Sequence, residues 1–459
     1  MQPTCIVLHL SPVTISPILM RFVLNLFCLL VACPLLAQSN KPVLFKVGKL
    51  YDAEHITFLT NQQILVVNGI IQAVGPNLTK PVNANVIDLG QCTATPGLMD
   101  MHTHLLLHQK QRKDGLEMAS KVPANERIRQ GLVFAKLNLE AGITTVRDLG
   151  NSGQYLDLQL QKKLAYERAI GPTMYVSGPI ISPPGGQFYK PAAADSFLID
   201  QEYRVVKGAL DAKAAVDEHI QRGVNLIKVC MNNDKRVLAP EEIKAIVERA
   251  HQQGLSVTAH ATYDESARDA VLAGVDGIEH GYSLSDSTLQ LMAQRGTYLV
   301  PTDVSKQTAD IKVAGVGMVG KEAEEYANNF LKAIHDRLRR AVAKGVTIVA
   351  GSDYYGDIAL IERGKGAVDV LLAYYEAGIP GGDVLRYATY NAAKAQGIAD
   401  KVGLIKAGLK ADIVFFSGDL EHNFAQSLFS VKLIMKEGFL VHPPAVSSAT
   451  RKPLTPGSK

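Results

Sequence analysis

Short apolar, β-prone runs alternate along most of this chain with amphipathic stretches, and the polar residues that stand out fall where the runs end. From residue 41 the pattern is strand-like at 46–51, 63–67, 70–74 and 86–89, punctuated by Asn-Gly and Gly-Pro turn signals. It is strand-like again at 413–416, 431–436 and 439–441. Two β-rich ends around a long middle predict one small β-sandwich domain assembled from 41–95 and 400–445. The middle, 96–399, switches between periods of two and 3.6. Its apolar runs end near His102, Arg147, Gly178, Cys230, His260, His280, Thr302 and Asp353. Helical periodicity covers 126–141, 155–169, 240–253, 264–273 and 322–344, among others. Pro240 followed by Glu241 and Glu242 suits a helix start, where a proline costs nothing and acids meet the positive dipole end. Eight strand–helix units over about 260 residues fit a (β/α)8 TIM barrel. The fold class expected is therefore α/β, a barrel with a small β-sandwich domain built from both chain ends.

The first 40 residues break the pattern. Residues 1–20 hold no Asp, Glu, Lys or Arg, Arg21 precedes an apolar run over 22–31, and small residues follow. That is the layout of a secretory leader, and the run is short for a membrane span, which needs about 20 residues. Cleavage after Ala37 is expected, so that 1–37 is a signal peptide and the mature chain is exported, periplasmic and without a transmembrane span. Two variants stay open: a start at Met20, and a lipobox at Leu30-Val31-Ala32-Cys33 that would anchor the chain through Cys33. Beyond the leader only Cys92 and Cys230 remain, too few for a disulfide framework. Hydrophobic content of 47%, charged content of 20% and a net charge of +4 over 459 residues are ordinary for a globular protein. No Lys/Arg cluster marks a nucleic-acid footprint, so nucleic acid is not an expected partner. A homo-oligomer stays open.

Strand ends in a parallel barrel converge on one mouth, so the residues there are read together. His102 and His104 form His-x-His on an extended segment, which puts both rings on one side. His260 and His280 each end an apolar run on consecutive strands. A lone histidine in such a place is more often a satisfied polar residue than a ligand, but four together favour a metal, for which neutral imidazole is a common ligand. Asp353 is either a cap for the next segment or a carboxylate ligand and base. Lys228, inside Leu-Ile-Lys-Val-Cys, is costly on a buried strand unless paired or modified. It pairs with Glu279 or Asp353, or it is carboxylated to a carbamate that bridges two cations. Arg147 and Tyr263 lie near strand ends as substrate contacts, with a structural ion pair and loop packing as their respective alternatives.

At these residues the chain resembles the amidohydrolase superfamily, in its imidazolonepropionase-like and prolidase-like branch. The resemblance spans about 43–442. It rests on Pro96-Gly-Leu-Met-Asp-Met-His-Thr-His104, Gly142-Ile-Thr-Thr-Val-Arg-Asp148, Ile278-Glu-His-Gly281, Gly351-Ser-Asp353 and the run from Val402 to Asp412. It implies two divalent metal ions, zinc by expectation: His102, His104 and Asp353 on one, His260 and His280 on the other, and carboxylated Lys228 with a hydroxide between them. The hydroxide would attack an amide carbonyl and Asp353 would carry the proton to the leaving nitrogen, with His280 also in the catalytic set. One departure bears on substrate. Where the branch often carries Gly-Gly-His, this chain has Gly185-Gly186-Gln187, so Gln187 takes that place as a neutral substrate contact. The expected function is an exported metal-dependent dipeptidase of prolidase (Xaa-Pro) type. Hydrolysis of a cyclic amide or an N-acyl amino acid is the runner-up. A binding protein on a degenerate barrel is the non-enzyme alternative.

Overall fold

A computed structural model describes residues 41–109, 120–166, 170–187, 195–232, 237–356 and 361–443. The expected leader, with Met20 and Cys33, lies outside the described residues. Four strands come first: β1 (Val43–Asp52), β2 (Thr57–Val67), β3 (Ile70–Gly75) and β4 (Asn85–Pro96). The middle then supplies β5 (Leu98–Thr103), β6 (Ile143–Asp148), β7 (Thr173–Val176), β8 (Ile180–Ser182), β9 (Tyr203–Val205), β10 (Ile227–Cys230), β11 (Val257–Ala261), β12 (Gly277–His280) and β13 (Tyr298–Val300). The chain ends with β14 (Ile413–Ser417), β15 (Val431–Lys436) and β16 (Phe439–Val441).

The two chain ends build one seven-stranded sheet in the order β16-β15-β14-β4-β1-β2-β3. The β-rich domain expected from both chain ends is thus one continuous ladder, which curls so that Ile70 of its edge strand β3 bridges to Lys410 just before β14. Its continuity comes from the length of β4, 12 residues against the four expected at 86–89. Its first part pairs in parallel with β1 and its last part, Cys92–Pro96, pairs antiparallel with β14, so both ends share one ladder. Strand alternation then gives each face its own work. On β14, Val414 and Phe416 join the core of the central region, while Ile413 and Phe415 join Phe45, Ile64 and Met435 in a core belonging to the sheet.

The central strands are parallel and fall in two sheets, β13-β12-β11-β10-β8-β9 and β5-β6-β7. The third apolar run divides at Gly178 into β7 and β8. The eighth, 346–350, has no named strand. It makes an isolated parallel bridge from Ile348 to Leu299, and its Ala350 carbonyl accepts from Met101 N at 2.9 Å, so it lies between β13 and β5. Helices alternate with these strands. Asp264–Ala273 has the bounds expected, and Pro240–His251 starts at its proline, with the Glu242 carboxylate accepting from Ala239 N at 2.9 Å. Asp286–Arg295 and Lys306–Gly315 are capped by the Ser285 and Ser305 hydroxyls, each accepting from a backbone N–H three residues on. Cys92 and Cys230 are buried and not bonded to each other. Among the described residues no helix is long and apolar enough to cross a membrane.

Candidate metal centre

The carboxyl ends of the central strands surround a cavity of about 310 Å³, in the size range of small-molecule sites. Its wall includes His102, His104, Lys228, His260, His280 and Asp353, six residues from five separate strands or strand ends. Parallel strands bring this about because each delivers its last residue to the same edge of the sheet. In the parallel register Cys230 stands beside His260, and Ala261 beside His280. The ring centroids of His102 and His104 are 5.2 Å apart, those of His102 and His280 5.0 Å, and those of His260 and His280 4.6 Å.

Two of the polar residues break the strand period. His280 has φ +71° and Asp353 φ +49°, left-handed values that non-glycine residues adopt at a cost. This lets neighbours in sequence serve one place: Glu279 reaches His102 while His280 also stacks against it. Gly351 permits the last approach. A Cβ there would lie 2.8 Å from His102 Cβ and closer still to Val300. Asp100 ties the two segments together, accepting from Ser352 N at 2.8 Å and from the Ser352 hydroxyl at 2.6 Å.

Hydrogen bonds fix the rings. His104 Nδ1 faces the Gly150 carbonyl at 2.7 Å and His102 Nδ1 faces Glu279 Oε2 at 2.7 Å. A carbonyl and an ionised carboxylate only accept, so each Nδ1 donates. The Nε2 atoms then turn to Asp353, whose Oδ1 lies 3.2 Å from His104 Nε2 and 3.6 Å from His102 Nε2. Burial pushes the Asp353 carboxyl up, but His102, His104 and His280 outweigh it and hold it far below the usual carboxylate range. Burial drives His260 down to about 3, with the Lys228 charge adding to it, and His102 down to about 4. His280 is likewise held far down by burial, whereas His104 is raised, because burial there is outweighed by its hydrogen bond to Asp353 and by that carboxylate's charge. A cation takes these groups as neutral imidazoles and a carboxylate anion, so binding it would displace the proton that Asp353 favours on His104. His102, His104 and Asp353 offer donor atoms that all lie within 4.8 Å of one another.

Lys228 is 1% exposed, and its Nζ has no hydrogen-bond partner. Neither Glu279 nor Asp353 forms the ion pair considered from sequence. Glu279 spends its oxygens on His102, Arg147 and Thr258. Burial lowers the Lys228 amine to about 8. A buried ammonium without a partner is expensive, which favours the neutral amine here beside the candidate metal ligands.

The expected substrate contacts divide. Tyr263 lines the cavity and is 52% exposed. Gln187 also lines it, but its amide Nε2 lies 3.0 Å from His260 Nδ1 and its Oε1 accepts from Tyr203 at 3.3 Å. Of the two readings of Arg147, the structural ion pair holds and the substrate contact does not. Its guanidinium is fully buried and turned inward, donating to Met101 O at 2.8 Å, Tyr298 Oη at 2.7 Å and Glu279 at 2.8 Å. Three internal partners leave it nothing for a substrate. The wall also contains Asn151, Asn232, Thr262, Tyr282 and Tyr355, which the sequence gave no reason to select. Glu279 stands out in the sequence as a charge beside His280 inside an apolar run, but its pairing with His102 and Arg147 crosses strands and leaves no mark along the chain.

The model of the amidohydrolase family matches residues 93–441. Ochratoxinase from Aspergillus niger is 27% identical over 350 residues, 70% of this chain and 69% of that protein. An imidazolonepropionase from Treponema denticola is 25% identical over 421 residues, 82% of this chain and 91% of the relative. The solved structure of a Xaa-Pro dipeptidase with bound methionine in the active site superposes with a TM-score of 0.75 at 26% identity, covering 88% of this chain and 100% of that one. With a family match across most of its length, the chain belongs to the amidohydrolase family, in the imidazolonepropionase-like and prolidase-like branch, and is a metal-dependent hydrolase of carbon–nitrogen bonds.

Proposed function

We propose that this protein is an exported dipeptidase of Xaa-Pro type whose two parallel sheets, with 346–350 as an eighth strand, make one (β/α)8 barrel. The observation that carries the catalytic part is the orphaned Lys228 amine among four imidazoles and Asp353. Two divalent ions, zinc by expectation, fit this set: His102, His104 and Asp353 for one, His260 and His280 for the other. Lys228 serves both once its neutral amine has added carbon dioxide and lost a proton, giving a carbamate. When bound, such ions lower the pKa of water and polarise a carbonyl. Asp353 takes the proton of the attacking water and delivers it to the departing nitrogen. Gln187 and Tyr263 line the space for the rest of the substrate. The leader pattern over 1–37 supports export and a role in peptide scavenging.

Likeness to the Xaa-Pro dipeptidase structure supports the substrate choice. Likeness to ochratoxinase and to an imidazolonepropionase keeps an N-acyl amino acid or a cyclic amide as the second reading. A dipeptide library, run beside N-acyl amino acids and lactams, separates them. Turnover of Xaa-Pro substrates is expected. Inactivity toward every dipeptide with turnover of a lactam would reverse the choice. Elemental analysis is the companion test, and fewer than one divalent ion per chain would remove the two-metal reading.

A further inference from the structure

We propose that Glu279 is a positioning residue: its carboxylate, clamped by Arg147 and Thr258, keeps the proton of His102 on Nδ1 and so leaves Nε2 bare toward Asp353 as a metal ligand. The inference rests on the metal-centre reading above. Glu279 is fully buried, and each of its oxygens is engaged. Oε1 accepts from Arg147 Nη2 at 2.8 Å and from the Thr258 hydroxyl, and Oε2 faces His102 Nδ1 at 2.7 Å. Arg147 is fixed in turn by the Met101 carbonyl, one residue before His102, and by Tyr298. The clamp therefore runs through β6, β11 and β12 to the ring on β5, and each member is held by another strand. A buried carboxylate with this geometry accepts and does not donate, so it selects one tautomer. Histidine ligands generally depend on such a partner at the other nitrogen, which sets the ring orientation as well as the proton. His104 obtains the same service from the Gly150 carbonyl. Two other roles fit less well. Glu279 does not line the cavity, so it does not touch substrate, and it forms no ion pair with Lys228.

Two measurements test this on the full chain. In the metal-stripped wild type labelled with 15N-histidine, long-range proton–nitrogen correlation should show His102 protonated on Nδ1 and bare on Nε2. The signal is assigned by its loss in His102→Gln. A His102 protonated on Nε2 alone would overturn the proposal, and this readout requires no change at Glu279. In the second, cobalt(II) uptake is followed by visible absorption. Glu279→Gln, whose amide can donate to the ring and so admits the other tautomer, should bind cobalt about 10–100-fold more weakly. Thr258→Val should weaken it less, in the same direction. Cobalt affinity unchanged in Glu279→Gln sinks the positioning role alone. Failure of the wild type to take up cobalt sinks the metal reading and this role with it.

Discussion

In the proposed function Asp353 would carry two demands at once, ligation and proton transfer, from a strained backbone. Its φ of +49° sets the carboxylate between His102 and His104, and the imidazoles keep it ionised. Asp353→Asn keeps the size and removes the charge. Turnover should fall by about 10²- to 10⁴-fold, with an unchanged circular dichroism spectrum, and activity close to wild type would take the proton-transfer role away from this residue. Asp157 shows what burial does to a carboxyl with less support. It is raised from 3.8 to about 7, first by burial and then by the charge of Asp148. The folded state thus holds this proton more tightly than the unfolded chain does. That stabilisation is full below about pH 4 and is lost as pH rises through about 7. Asp157→Asn lacks the dependence. Its stability relative to wild type should improve by on the order of a few kcal/mol between about pH 4 and about pH 8, read from urea midpoints, and parallel profiles for the two proteins would contradict it. At this scale the sequence announces ligand-type residues well, because a histidine or aspartate at the end of an apolar run stands out. It leaves Arg147 open between a substrate contact and a structural ion pair, because no pattern along one strand says which neighbouring strand will present a carboxylate.

Gly351 governs how closely 346–353 can approach β5. The site for a Cβ is already taken by His102 and Val300. Gly351→Ala should therefore push the eighth segment outward, at a cost of about 1–3 kcal/mol in stability. It should also separate Asp353 from the His102 and His104 rings, so that metal content measured by elemental analysis falls. Wild-type metal content in this variant would show that the approach is not needed. Elements with a strong period were readable beforehand, among them the helix Asp264–Ala273 and the start of Pro240–His251. The eighth segment was expected as a strand over 346–350, yet it makes only the Ile348–Leu299 bridge and isolated bonds. Apolar residues declare burial, but ladder pairing depends on neighbours that a linear pattern does not contain. The same holds for β4, where Gly90-Gln91 in the middle concealed one long strand as a short one.

For the whole molecule, the consequential feature is that the terminal sheet shares a core with the region bearing the site. The union of the two chain ends was legible, since both read as β-rich, whereas the continuity of their ladder followed from the length of β4. Phe416 is fully buried and sits in the central core although it comes from the last part of the chain. Phe416→Ala should destabilise the protein by about 3–5 kcal/mol. The central core and the sheet should then melt together, seen as one transition by circular dichroism and calorimetry; separate transitions would mean that the sheet is an independent unit. Metal should act on the same equilibrium. An ion bound by folded His102, His104 and Asp353, and not by the unfolded chain, adds RT ln(1 + [L]/Kd) to stability, about 2.7 kcal/mol at a hundredfold excess over Kd. Chelation should lower the single melting temperature and added zinc should restore it. The loss should be much smaller in Asp353→Asn, because less metal energy is there to remove, and an equal loss in both proteins would place the stabilising ion elsewhere.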